Sequence, residues 1–216
     1  MTSNLLHGGA DVDDFRRVLG EIEPDVVVTQ ELGHEYIDVL ADRFPNHYLH
    51  PADDFKGRGI ATHLDVEFGD IPMPVRNGTS ALLDVGGEPW NLAGIHLLNP
   101  IDFPWWTSVR HRREQLEAID EWGPGASQPA VIAGDFNASP RWPAYRFMAR
   151  RWTDLVADQA ATSGVAPDRT WAWRPGWPRM LRIDHVFGSG VVAAGSGVVP
   201  IKGSDHAAVW VDLAAS

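Results

Sequence analysis

Apolar runs of a few residues recur along the chain, and each stops abruptly at a polar or acidic residue. The clearest are Asp25-Val26-Val27-Val28-Thr29, which delivers Gln30 and Glu31, and Ala130-Val131-Ile132-Ala133, which ends at Gly134-Asp135. Runs this short and β-branched read as buried strands. Between them lie helical stripes. Val12, Phe15, Val18, Leu19 and Ile22 share one helix face, with acidic residues at its start and Glu23-Pro24 at its end. Tyr36, Ile37, Leu40 and Phe44 predict a second helix, Thr107 to Trp122 a third and Pro140 to Trp152 a fourth. Further strands are expected around Gly59 to His63, Ser80 to Val85, Trp90 to His96, Ile183 to Phe187, Val191 to Val199 and Ala207 to Leu213. Strands outnumber helices and several adjoin one another, which points to an α/β fold with mixed sheets. No repeat or long linker interrupts the 216 residues, so a single domain over 1–216 is expected.

Composition narrows the chemistry. The chain has no cysteine, which removes disulfides, thiolate metal sites and cysteine nucleophiles together. A metal would be held by oxygen or imidazole, and carboxylate-rich oxygen sites suit magnesium or manganese, with calcium also compatible. Lys plus Arg is 18 against 29 Asp plus Glu, a net charge of −11. That balance disfavours nonspecific binding of long nucleic acids, which depends on neutralising phosphates. The Arg residues nevertheless cluster, at Arg110, Arg112 and Arg113, at Arg141, Arg146, Arg150 and Arg151, and at Arg174, Arg179 and Arg182. No stretch of about 18 apolar residues occurs, so no transmembrane segment is expected. Met1 leads into Thr2-Ser3-Asn4 without a basic and apolar leader, which makes a cytoplasmic monomer the default expectation.

The polar residues at the strand ends are Asn4, Gln30-Glu31, His96, Asp135 with Asn137, Asp184-His185 and Ser204-Asp205-His206. One such residue alone is usually a cap or a hydrogen-bonded core group. Together they are what phosphate-ester hydrolysis requires: a cation for the phosphoryl oxygens, an oriented water and a stabilised leaving oxygen. Asn4, Glu31 and Asp205 offer oxygen ligands. Asp184 with His206 can form a carboxylate-oriented histidine. Asp135 and Asn137, two residues apart on a tight turn, place a carboxylate beside an amide.

The ordered set resembles the endonuclease/exonuclease/phosphatase superfamily, the deoxyribonuclease I-like phosphoesterases. Ser3-Asn4-Leu5-Leu6-His7-Gly8 resembles the opening strand, and Pro24-Asp25-Val26-Val27-Val28-Thr29-Gln30-Glu31 the passage to the metal-binding Glu. His96 with Pro100 resembles the central His segment. Gly134-Asp135-Phe136-Asn137, Arg182-Ile183-Asp184-His185-Val186 and Gly203-Ser204-Asp205-His206 match the remaining motifs. The resemblance implies a four-layer sandwich, with two mixed β-sheets face to face and helices outside. It implies Glu31 as principal metal ligand with Asn4 and Asp205 nearby, and catalytic roles for His96, Asp135, Asn137, Asp184 and His206. In that assignment Asp135 positions water, Asn137 contacts phosphate, Asp184 orients His206, and His96 contacts phosphate or assists the leaving group. Leu6 departs from the abasic-site endonucleases, which carry a carboxylate there, and no carboxylate partner for His96 is visible.

The substrate is then a phosphate ester, small or lipid-linked, with nucleic acid as the rival. A non-catalytic binding module on the same fold has no chemical need for the complete polar set. Ten Trp residues bear on the choice. Trp105 and Trp106 follow His96, Trp142 follows the Asp135 motif, and Trp171, Trp173 and Trp177 precede Asp184. They can pack the sandwich rim, stack bases of a single strand, or meet a lipid surface. The Pro- and Gly-punctuated segment from Thr170 to Pro178 is expected as a loop beside the site.

Overall fold

The computed structural model describes residues 1–101, 104–123 and 128–215, with Trp105 known by its backbone alone. Each expected strand forms close to its expected bounds. One six-stranded sheet runs in the order β11 (Val191–Pro200), β12 (Ala207–Ala215), β1 (Thr2–Asn4), β2 (Val26–Gln30), β4 (Arg58–Thr62) and β3 (Asn46–His50). The other runs β5 (Val66–Ile71), β6 (Gly78–Val85), β7 (Glu88–His96), β8 (Ala130–Asp135), β10 (Asp184–Ser189) and β9 (Thr153–Asp154). Neighbours are antiparallel except β1–β2 and β7–β8, so each mixed sheet carries one parallel pair at its centre.

Strand alternation sorts the apolar runs into layers. Val28 and Val209 face Leu92, Val131 and Val186 across the space between the sheets. Their neighbours Val27 and Ala208 point outward against Phe15, Leu19 and Leu40, on α1 (Val12–Ile22) and α2 (Ile37–Arg43). On the far side Ala93, Ile95 and Ile132 pack against Ile119 of α3 (Trp105–Trp122) and Met148 of α4 (Pro143–Met148). The result is helix, sheet, sheet, helix. Both faces of each central strand are buried, which is why these strands read as continuous apolar runs.

The structure departs from expectation at the edges. The helix expected over 140–152 is confined to α4, with Pro143 in its first turn. Edge strands β3 and β5 carry Asn-His-Tyr-Leu-His and Val-Glu-Phe-Gly-Asp-Ile, without a buried apolar run to mark them. A fifth helix, α5 (Leu155–Ser163), lacks a strong apolar stripe but has its caps in the sequence: the Asp154 side chain accepts from Ala157 N, and Gly164 closes the helix at φ 72°.

Asp154 also anchors the second sheet. Its two oxygens receive Arg182 at 3.1 and 2.7 Å, and the Tyr145 hydroxyl donates to it at 2.9 Å. Burial works against a charge there, yet His185 and Arg182 hold the carboxyl well below the usual carboxylate range. This pairing fixes the segment that enters β10 at Asp184. Removing one partner of a buried ion pair typically costs about 3–5 kcal/mol. Asp154→Asn is therefore expected to lower the urea-derived unfolding free energy by about that amount; a change under about 1 kcal/mol would contradict this account. Because the native carboxyl titrates below its unfolded value, its contribution is present above about pH 4 and is lost as pH falls further.

Candidate active site

Strand register assembles the site. Asp135, at the end of β8, lies opposite His96 in the parallel ladder and opposite Asp184 in the antiparallel one. Gly134 makes the close approach feasible. It has φ 148°, and a Cβ there would stand 1.9 Å from the Ile95 carbonyl oxygen. Beyond Asp135 the chain turns sharply through Asn137, at φ 45°, a left-handed conformation that Asn tolerates. In the other sheet, Asn4 is in register with Gln30, and Glu31 leaves β2 at φ 52°. A non-glycine residue held there carries strain of the kind that clusters at functional sites.

Asn4 joins the two sheets. Its amide nitrogen donates to Glu31 Oε1 at 3.1 Å and to Asp135 Oδ2 at 3.2 Å, while its oxygen accepts from Leu6 N at 3.0 Å. The Ser204 hydroxyl donates to the Asn4 carbonyl at 2.9 Å and accepts from His206 N at 3.0 Å, which ties the last motif to the first. Asn137 N donates to Asp135 Oδ1 at 2.7 Å. Its side-chain nitrogen donates to Asp135 Oδ2 at 3.2 Å and to the Leu97 carbonyl at 3.0 Å.

His206 is buried, with Nδ1 2.9 Å from Asp184 and Nε2 3.8 Å from Asp135. Burial alone would push its pKa down, but the carboxylates of Asp184 and Asp135 outweigh burial and hold it up at about 10. Asp135 is correspondingly kept ionised. Burial disfavours its charge, and His206, His96 and the Asn137 amide overcome that. His96 behaves oppositely: burial and the adjacent Arg76 lower its pKa, so it is a neutral imidazole and its 3.4 Å approach to Asp135 is a hydrogen bond, not an ion pair. Arg76 Nη1 stands 2.7 Å from Nδ1 and 3.0 Å from Nε2 of that ring. A guanidinium only donates. Arg76 therefore needs one ring nitrogen of His96 as an acceptor, which a neutral imidazole supplies.

All eight expected residues meet in one site. Glu31, His96, Asp135, Asn137, Asp205 and His206 line a cleft of about 520 Å³, with Asn4 and Asp184 bonded beneath. Two polar neighbours turn elsewhere: Gln30 bonds Thr2, and His185 bonds the Ala138 carbonyl. Several of the clustered Arg residues are engaged within the chain. Arg112 holds the Leu98, Phe136 and Asn137 carbonyls, Arg182 holds Asp154, and Arg113 pairs with Glu117. Arg76, by contrast, lines the cleft from a turn that has no motif. Its one sequence signal is an arginine in an apolar setting just ahead of a buried strand. Trp171, expected beside the site, has an unforeseen task there, donating Nε1 to Asp205 Oδ2 at 3.1 Å.

The profile of the Endonuclease/Exonuclease/phosphatase family matches residues 1–206. The chain belongs to this family. Solved structures agree in fold. The catalytic domain of human Nocturnin with bound sulfate is 17% identical, with a TM-score of 0.74 over 95% of this chain and 86% of that one. A humanized Danio rerio TDP2 is 21% identical, with a TM-score of 0.73 over 99% and 97%. A Bacteroides thetaiotaomicron mannosyl-6-phosphatase is 18% identical, with a TM-score of 0.67 over 94% and 90%. No curated protein sequence matches the chain. As a member of the Endonuclease/Exonuclease/phosphatase family, the protein is a metal-dependent phosphoesterase.

The residues present fit a divalent cation. Asp135, Asp184 and His206 bring one ligand atom each within 4.8 Å of one another, all buried. That group already contains a cation of its own, however, since the Asp184 and Asp135 carboxylates outweigh burial and hold the His206 pKa up at about 10. The better seat is at Asp205 and Glu31. Asp205 Oδ1 is buried and meets no hydrogen-bond partner among the described residues, and burial together with the Glu31 carboxylate raises the Asp205 pKa. An unsatisfied carboxylate oxygen beside a second carboxylate is a donor set that a hard cation suits.

The His206–Asp184 pair gives a pH signature. A histidine whose native pKa lies above its unfolded value stabilises fully below about pH 6.5, and that contribution is lost as pH rises through about 10. In chelator, unfolding free energy is expected to fall across this window more steeply in the wild type than in Asp184→Asn. Parallel profiles would contradict a charged His206.

Proposed function

We propose that this protein hydrolyses a phosphate ester on a small or lipid-linked substrate, using magnesium or manganese held by Glu31 and Asp205 with Asn4 beside them. What carries this reading is a protonated histidine, His206, fixed by Asp184 and opening onto a cleft that also holds an unsatisfied carboxylate, Asp205. When bound, the cation supplies charge neutralisation for the phosphoryl oxygens. The rest falls to the chain's own groups. Asp135, kept ionised with its oxygens shared among Asn4, Asn137 and His96, is too weak a base to strip a proton outright and orients the attacking water. His206 presents a positive N–H to the charge that develops on phosphate and to the departing oxygen. Neutral His96 offers a hydrogen bond without taking up a proton. Asn137 holds Asp135 in place through both its backbone and its side chain, and phosphate contact is a second proposed role for its amide.

One observation favours a nuclease instead. Trp142 and Trp173 are exposed beside the cleft, where bases of a single strand can stack. Against this, no helix among the described residues presents an Arg row to the cleft, and the net charge is −11.

Hydrolysis of bis(para-nitrophenyl) phosphate should require added magnesium or manganese and cease on exhaustive chelation; persistence of the rate would contradict the cation-dependent scheme. His206→Ala should lower kcat by about 10²–10⁴, the usual scale for one proton-handling group. An unchanged kcat would remove His206 from the chemistry.

A further inference from the structure

The central strands have a second end, away from the catalytic cleft. There the layer between the sheets is built from short side chains. Val26, Val28 and Val209 of one sheet oppose Val131, Ala133 and Val186 of the other. Packed sheets stand about 10 Å apart, and valine facing valine or alanine does not fill that spacing. An interior normally closes until few voids larger than a water are left. Here a cavity of about 290 Å³ remains, near the lower end of the range for small-molecule sites. Trp90, in its wall, lies on β7 ahead of His96, and strand rise separates the two by roughly 20 Å.

One side-chain donor in that wall is unpaired. Trp90 is 7% exposed, and its Nε1 meets no hydrogen-bond partner among the described residues. A buried donor left unsatisfied is costly, and an indole N–H can only donate. Other polar groups of the lining are committed. The Asn91 amide donates to Gln128 at 3.1 Å, and the Met1 amino group donates to the Val26 carbonyl at 2.8 Å. Glu23, Asp25 and Asp212 are exposed at the rim, and no Arg, Lys or His stands among the described lining residues.

Each of these features selects for a property of a ligand. Walls of valine and leucine take an apolar body. Trp90 needs an acceptor. Three rim carboxylates against a single amino group repel an anion. A cation fares no better inside, because it brings Trp90 no acceptor and its charge goes unpaired between the sheets. We propose that this cavity is a binding site for a small, uncharged, largely apolar molecule whose one oxygen, a carbonyl or an ether, accepts from Trp90 Nε1. The site lies apart from the phosphate chemistry, and none of its residues belongs to the catalytic set.

The test titrates the whole protein with three compounds of similar size: 1-tetralone, tetralin, which has a methylene in place of the carbonyl, and the anion 2-naphthoate. Affinities come from calorimetry, and proton–nitrogen spectra with assigned indole resonances locate the ligand. 1-Tetralone should bind one to one and about fivefold or more tighter than tetralin, the scale of one hydrogen bond gained. It should move the Trp90 indole resonance more than that of any other of the ten Trp residues. 2-Naphthoate should bind about tenfold or more weakly than the ketone. Trp90→Phe should bring ketone and tetralin within about twofold of each other while tetralin still binds. Val131→Met, which sends a flexible side chain into the volume, should weaken both by about tenfold or more. Melting temperatures identify a variant that has lost its fold, and the wild-type affinities and the Trp90 resonance decide without it. Failure of both neutral compounds to bind would reduce the cavity to a packing void and overturn the site. Equal affinity for ketone and tetralin, an unmoved Trp90 resonance, or a naphthoate affinity equal to that of the ketone would overturn the ligand assignment. None of these measurements involves hydrolysis, so their failure leaves the phosphoesterase reading standing, and the reverse holds.

Discussion

The Asp135 carboxylate is the point on which the two halves of the sandwich converge. It ends the central strand of one sheet, receives the Asn4 amide from the central strand of the other, and stands in register with both His96 and Asp184. Each sheet contributes one parallel pair, and those four strands all run toward this end. Parallel pairing brings strand ends together without a hairpin to cover them, so backbone carbonyls and side chains are left open to a ligand. Gly134 permits the tight approach of β8 to β7, and Glu31 and Asn137 hold left-handed conformations that point their side chains inward. The backbone geometry is costly at several adjacent positions, and the surrounding core makes that cost bearable.

Charge organises what the strands assemble. A buried carboxylate survives only with partners, and Asp135 is surrounded by donors: the Asn137 and Asn4 amides, the His96 imidazole and the His206 imidazolium. The same network splits the two histidines. Burial acts against charge on both; the Asp184 and Asp135 carboxylates outweigh it at His206, while at His96 Arg76 adds to it. Two residues of one type thus acquire different tasks, one as a fixed cation and one as a neutral donor, from the charges beside them. The carboxylates not satisfied by the protein, above all Asp205, define where an added cation belongs.

The central layers and the reactive set were legible because their signals are local. Val26 to Thr29 and Ala130 to Ala133 are buried on both faces, and each run hands over directly to a functional carboxylate. Pairing of Asp184 with His206 was one arrangement the chemistry allowed and the one the family resemblance implied. Edge strands β3 and β5 were illegible because exposed strands keep polar residues, and α5 because its identity lies in Asp154 and Gly164 rather than in a stripe. Arg76 could not be assigned in advance: its task depends on His96 and Phe55, which are distant in sequence and meet only in the folded cleft. Trp171 likewise reaches Asp205 through tertiary packing. The Arg clusters were conspicuous in sequence, yet Arg112 and Arg182 serve the interior.

Where the cation sits decides between the two acidic groups of the site. A crystal soaked in manganese and measured at the manganese absorption edge locates it without reference to activity. The account predicts one anomalous peak between the Glu31 and Asp205 carboxylates, with Asp184 still bonded to His206. A peak inside the Asp135–Asp184–His206 group, or none at saturating manganese, would contradict it.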